Sequence, residues 1–142
     1  MSVFIAIFVA DAFATAGFAL LPPFSFYLGV GMMFAGILTR LWAVSTLRSF
    51  FSYTVQIKEG HHVIQSGPYR FVRHPAYTGS LLTVLGIGFA LQSWGAVLVM
   101  AVTFGVTFGY RIHIEERVLV ASLGEEYLSY SRRVKRLIPY LF

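Results

Sequence analysis

Arg73, His74 and Tyr77 stand close together in Gly67-Pro68-Tyr69-Arg70-Phe71-Val72-Arg73-His74-Pro75-Ala76-Tyr77-Thr78-Gly79, at the approach to an apolar run. Pro75 suits the first turn of a helix, where its missing N–H costs nothing. His74 is then expected at a helix mouth, beside free backbone N–H groups and the positive end of the dipole. Such a rigid, polar entrance suits an anionic or polar small molecule. Arg and Tyr at a helix entrance also serve as headgroup anchors, so two readings stand at this point. A second group lies downstream. Arg111 and Glu115 are four apart and share a helical face, with Glu116 adjacent. They can form an intrahelical ion pair, although Arg first is the weaker order. Alternatively, the carboxylates can take ribose hydroxyls or an ammonium group while Arg111 holds an anionic substrate group bidentately.

The elements that carry these residues are apolar. Of 142 residues, 57% are hydrophobic and 12% charged, and the mean hydropathy is +0.72. That composition excludes disorder and argues against a soluble globule. There is no cysteine, which rules out disulfides, thiolate nucleophiles and cysteine metal sites. His61, His62, His74 and His113 lack the spacing of a zinc helix, and no metal is expected.

Hydropathy predicts an all-α integral membrane protein forming a single domain over 1–142, with four spans near 3–21, 24–45, 76–92 and 94–114. Each approaches the ~20 residues that cross a bilayer core. The first run lacks a basic leader and carries Asp11, so it is read as a retained helix. Asp11 is expected to be protonated or paired inside the bundle, with a functional role as the alternative. Gly29, Gly31, Gly36, Gly105 and Gly109 suggest close helix packing, or else room for a ligand against the backbone.

All eleven basic residues fall in the loop 46–75, near its edge, or at and beyond the polar end of span four. The positive-inside rule therefore puts both termini and the polar segments in the cytoplasm. The net charge of +5 calls for no nucleic acid, because anionic membrane lipids account for it. A short hairpin or clamp is expected within 53–65. Leu123-Gly124 reads as a helix stop, 125–136 as an amphipathic helix, and 137–142 as a tail that re-enters the interface.

Taken together the chain resembles the isoprenylcysteine carboxyl methyltransferase family and its phospholipid-methyltransferase relatives. The resemblance runs over roughly residues 29–142. It rests on Gly36-Ile37-Leu38-Thr39-Arg40-Leu41-Trp42-Ala43, Thr46-Leu47, Phe50-Phe51, the Gly67–Gly79 segment, Glu115-Glu116 and Gly124-Glu125-Glu126-Tyr127-Leu128-Ser129-Tyr130. Arg-His-Pro-x-Tyr-x-Gly followed by a membrane-edge Glu-Glu is its specific combination, and Gly29-x-Gly31 is similar to a glycine pair of the phospholipid enzymes. The resemblance implies a cytoplasmic S-adenosylmethionine site contacted by Gln56, His61, His62, Val63, Ile64, Tyr69, His74, Pro75, Ala76, Tyr77 and Glu115. His61-His62-Val63-Ile64 departs from the usual His-x-Leu-Val wording, a change that backbone contacts tolerate. Arg111 maps onto the arginine that holds the substrate carboxylate, and Arg73 and Glu116 join it as catalytic candidates.

The implied reaction is methyl transfer to a lipophilic or lipidated acceptor, an isoprenoid or prenyl-cysteine-like carboxylate first. A carboxylate acceptor is already ionised and needs no base, so the protein's task is positioning and exclusion of water. A phospholipid amine must first lose a proton, with Glu116 or His74 as candidate bases; Arg111 favours an anionic or neutral acceptor. Two rivals stand beside this reading. Membrane sterol reductases carry a related Arg-His-x-x-Tyr-x-Gly pattern and use a nicotinamide cofactor, and a non-enzymatic scaffold would need the polar loop only for anchoring.

Overall fold

The structure is a computed structural model, and residues 2–17, 19–47 and 63–139 are the ones described, with the side chains of residues 2 and 3 set aside. Gln56, His61, His62, most of the hairpin expected within 53–65 and the tail residues 140–142 lie outside the described residues. Five α-helices occur among the described residues: α1 (Ser2–Thr15), α2 (Phe24–Leu47), α3 (Pro75–Ala90), α4 (Trp94–Leu123) and α5 (Glu125–Arg133). A 3-10 turn spans Gly67–Arg70. Strands are absent among the described residues, so the all-helical expectation holds. α2 and α4 are long and apolar enough to cross a membrane, whereas the apolar parts of α1 and α3 are shorter.

The chain divides into two compact units, Met1–Leu38 with Gly79–Gly109, and Thr39–Thr78 with Tyr110–Phe142. In the first unit, α1 stops at Thr15, well before the expected boundary at 21. Gly17 and Ala19 take left-handed φ of 68° and 49°, which no helix continues through. The chain instead crosses to the α3–α4 turn: the Leu21 amide donates to the Gln92 carbonyl at 2.7 Å, and the Trp94 amide to the Ala19 carbonyl at 2.9 Å.

Glycines bring α2 against α3 in this unit. A Cβ on Gly36 would lie 2.5 Å from the Gly79 carbonyl oxygen, and one on Gly29 would lie 2.5 Å from that of Gly86. Backbone contact of this kind is open only to glycine, as the packing reading requires. Gly31, Gly105 and Gly109 behave otherwise: a Cβ there meets nothing within 4 Å among the described residues. Met100, Ala96 and Ser93 fill the interior, while α1 turns Phe4 and Phe8 outward, 77% and 83% exposed. Asp11 is also exposed, so the expected partner inside a bundle does not cover it.

The second unit holds the polar residues. Its core is Ala43, Tyr69, Val72, Ile112, Tyr127, Tyr130 and Leu137. Gly67, at φ 57°, starts the 3-10 turn, and a Cβ there would lie 2.9 Å from Thr46 Oγ1 on α2. Gly124, at φ 52°, separates α4 from α5. α5 carries Glu125 and Glu126 in its first turn and Arg132 and Arg133 in its last, which suits its dipole. It ends at Arg133 rather than 136 because Val134 is extended and Lys135 pairs with Val72 in a parallel bridge.

Candidate active site

Local rules build the entrance to α3. The Tyr69, Phe71 and Val72 amides are held by the Ser66 and Pro68 carbonyls at 3.1–3.3 Å, fixing the turn that buries Tyr69. The Tyr130 hydroxyl donates to the Tyr69 carbonyl. Burial pushes the Tyr69 and Tyr130 hydroxyls up from their ordinary range, and Tyr127 goes up to about 12 for the same reason. All three stay neutral. Pro75 opens α3, as expected. Of the first-turn amides expected to be free beside it, that of Tyr77 is taken by the His74 carbonyl at 2.9 Å, the same oxygen that accepts the first regular helical bond from Thr78 N at 3.0 Å.

His74 is 6% exposed and stands between two carboxylates of α4. Its Nε2 donates to Glu116 Oε1 at 3.2 Å, while its Nδ1 lies 4.0 Å from Glu115 Oε2. Glu116 also forms an ion pair with Arg73 Nη1 at 2.8 Å and one with Arg136, whose Nη2 and Nε lie 2.9 and 3.0 Å from Oε2 with Nε donating. Burial alone would raise its pKa. The hydrogen bonds from His74 and Arg136 and the Arg73 charge outweigh that and hold the carboxyl at about 2.

The second arm is more open. Arg111 Nε donates to the Tyr77 hydroxyl at 2.9 Å, and that hydroxyl donates to Glu115 Oε2 at 2.9 Å. Tyr77 thus bridges the two ends of the expected i,i+4 pair. The Glu115 side chain keeps 31% exposure, so its carboxylate can still accept from another donor. Buried Arg73 Nε and the Tyr127 hydroxyl have no hydrogen-bond partner among the described residues.

The geometry therefore joins Arg73, His74, Tyr77, Arg111, Glu115 and Glu116, with Pro75 and Ala76 between them in the chain and Tyr69 in the turn before. Val63 and Ile64 are half-buried, and the Val63 amide is held by Glu126 Oε1 at 2.9 Å. Sequence reasoning missed Arg136, Glu126 and Thr78, whose hydroxyl donates to the Leu137 carbonyl at 2.7 Å. Arg136 was counted with the headgroup-facing cations, and no sequence spacing marks it otherwise. It pairs with Glu116.

Comparison with known proteins decides the family. A family model described as isoprenylcysteine carboxyl methyltransferase matches residues 29–121. The chain belongs to this family. It is 30% identical over 80% of its length to the Arabidopsis thaliana protein-S-isoprenylcysteine O-methyltransferase B, covering 58% of that protein. It is 32% identical over 80% of its length to the cobalt-zinc-cadmium resistance protein CzcN of Cupriavidus metallidurans, covering 47% of it. A solved eukaryotic intramembrane Ras methyltransferase, an isoprenylcysteine carboxyl methyltransferase, superposes with a TM-score of 0.80 at 25% identity over 99% of this chain and 50% of that one. The chain thus spans about half the length of the relatives it matches. Arg73, His74, Tyr77, Arg111, Glu115 and Glu116 all lie inside the matched range, and Arg136 lies beyond it.

Proposed function

We propose that this protein is a multi-pass membrane methyltransferase that uses S-adenosylmethionine to methylate a lipophilic carboxylate, a prenylated cysteine or similar isoprenoid acid. Support comes from family membership and above all from one arrangement: an arginine and a half-open carboxylate, Arg111 and Glu115, joined through a single hydroxyl. A cation for an acceptor carboxylate thus stands beside an acceptor of hydrogen bonds for the cofactor.

The donor set fits the cofactor. Glu115 can take ribose hydroxyls or the ammonium group, and His74, Tyr77, Tyr69, Val63 and Ile64 supply polar and backbone contacts around it. When bound, S-adenosylmethionine supplies an electrophilic methyl group on a sulfonium centre. Arg111 binds the acceptor carboxylate bidentately and aims one oxygen. No base is required for that acceptor. This point favours a carboxylate over a lipid amine, because Glu116, held at about 2 by its three partners, is a poor proton acceptor. In this reading Arg73 and Glu116 hold His74 in place rather than meet the substrate.

The reading includes four membrane spans carried by α1, α2, α3 and α4, with the site on the cytoplasmic side. The charge map supports that orientation, and the outward apolar side chains of α1, α2 and α4 suit a lipid surroundings.

Calorimetry on detergent-solubilised protein tests the cofactor. Saturable binding of S-adenosylhomocysteine without NADPH binding is expected, and NADPH binding alone would move the protein to the reductase class. Labelled methyl transfer is then expected into an S-prenylated cysteine with a free carboxylate. Label entering only phospholipid amines would overturn the acceptor assignment. Arg111→Ala should leave S-adenosylhomocysteine affinity within about threefold while lowering turnover about 10–100-fold, the loss of charge-assisted hydrogen bonds.

A further inference from the structure

The segment that follows α5 is built into the site. After Arg133 the chain turns extended, with the Val134 amide still donating to Tyr130 at 3.1 Å. It then runs parallel to the entrance of α3: the Arg73 amide donates to the Lys135 carbonyl at 2.7 Å, and the His74 amide to the Arg136 carbonyl at 3.0 Å. Thr78 Oγ1 reaches the Leu137 carbonyl, and the Leu137 side chain is buried. Between these backbone anchors Arg136 places Nε and Nη2 on one oxygen of Glu116, whose other oxygen takes Arg73 and His74. Residues 134–137 therefore hold His74 twice, through its amide and through the carboxylate that accepts from its ring.

We propose that residues 134–137 form a positioning strap and that Arg136, through Glu116, is the residue that sets the His74 ring for the cofactor half of the site. Two facts make the assignment specific. Arg136 is the one guanidinium on Glu116 Oε2 among the described residues, so no neighbour replaces it there. Its backbone carbonyl also accepts from the His74 amide at 3.0 Å, so the same residue meets His74 directly and through Glu116. With Arg136 gone, Glu116 keeps Arg73 and His74 on one oxygen and is free to rotate about its terminal torsion, taking the imidazole with it. The strap also lies outside the range of the family match, which ends at 121, so its role is read from the contacts alone.

The cofactor part of this proposal rests on the methyltransferase reading; the His74 part does not. The test uses the full chain in detergent, with Arg136→Gln, Arg136→Lys and the exposed control Arg132→Gln. Nitrogen-15 histidine NMR reads the His74 ring, assigned by its loss in His74→Gln. Arg136→Gln should displace the His74 resonances, while Arg136→Lys returns them toward wild type and Arg132→Gln leaves them alone. Affinity for S-adenosylhomocysteine should fall about 5–10-fold in Arg136→Gln and less than about threefold in Arg136→Lys, a split expected of a charge-assisted contact acting through a second residue. Unmoved His74 resonances in Arg136→Gln would overturn the proposal, as would equal losses in Arg136→Gln and Arg132→Gln. Should Arg136→Gln not fold, Thr78→Val, which removes another anchor of the strap, is read by the same His74 resonances. If the wild-type protein binds no S-adenosylhomocysteine, the methyltransferase reading fails, and the resonances alone decide the strap.

Discussion

Glu115 and Glu116 are neighbours in sequence, and the structure assigns them opposite sensitivities. Glu116→Gln leaves three cationic or potentially cationic donors facing an amide. At least one of the two amide positions becomes a donor against donors, and the Arg73 guanidinium, 12% exposed, loses its counter-charge. Breaking such a buried pair costs about 3–5 kcal/mol, reduced here because the Arg136 side chain is 40% exposed. The proton linkage gives the same scale. A carboxyl drawn from its ordinary 4.5 to about 2 corresponds to about 3 kcal/mol of folded-state preference for the ionised form. The sign follows from the depressed value. This stability is present above pH 4.5 and is lost as pH falls toward 2.

Glu115→Gln by contrast removes only the charge from a group that accepts from the neutral Tyr77 hydroxyl and keeps 31% side-chain exposure, and the amide oxygen can still take that hydrogen bond. Its cost should stay under about 1 kcal/mol. Thermal unfolding in detergent, followed by tryptophan emission, should therefore drop on the order of 5–10 °C for Glu116→Gln and about 2 °C or less for Glu115→Gln. Repeating the melts between pH 7 and 3 should show Glu116→Gln losing less stability on acidification than wild type. The reverse ranking should appear in S-adenosylhomocysteine calorimetry at temperatures where both variants are folded. Equal melting temperatures for the two variants, or an unchanged acid response in Glu116→Gln, would refute the assignment of Glu116 as the charge hub.

Tyr77→Phe deletes the hydroxyl between Arg111 and Glu115, so turnover should fall about tenfold through loss of one charge-assisted bond, with the melting temperature within about 2 °C of wild type. A collapse of stability instead would mark Tyr77 as core. Gly36→Ala should lower the yield of folded protein or its melting temperature by the equivalent of about 2 kcal/mol or more, because its Cβ meets backbone. Gly31→Ala should be neutral or slightly stabilising, as the added methyl meets nothing within 4 Å among the described residues. Size-exclusion profiles and melts of the pair check the contrast.

What could be read from the sequence follows from the range of each interaction. Arg111 and Glu115 could be placed on one face of α4, with Glu116 next in the chain, because helical spacing is local, and Pro75 marked the start of α3 for the same reason. The glycine pattern showed which positions are small but not which face a neighbour; Gly29 and Gly36 meet α3, and Gly31 does not. The end of α1 did carry a local signal, Gly17 at φ 68° two residues past Thr15, but the apolar run continues to Leu21 and masks it, and the left-handed Ala19 that follows gives no turn signal of its own. The partners of Glu116 divide along the same line. Arg73 and His74 belong to the motif that, with Glu115-Glu116, carries the family resemblance. Arg136 reaches that carboxylate only because the chain leaves α5 in extended form and pairs with residues 72–74, a long-range contact that no local period encodes. The run Arg132-Arg133-Val134-Lys135-Arg136 looks uniform as charge, yet it contains two classes of cation. Arg132 and Arg133 close the last turn of α5 on its exposed side, whereas Arg136, three residues on, turns back onto a buried carboxylate. Charge composition treats these cations alike, and only the register of residues 134–137 with the α3 entrance separates the arginine on the buried carboxylate from those on the surface.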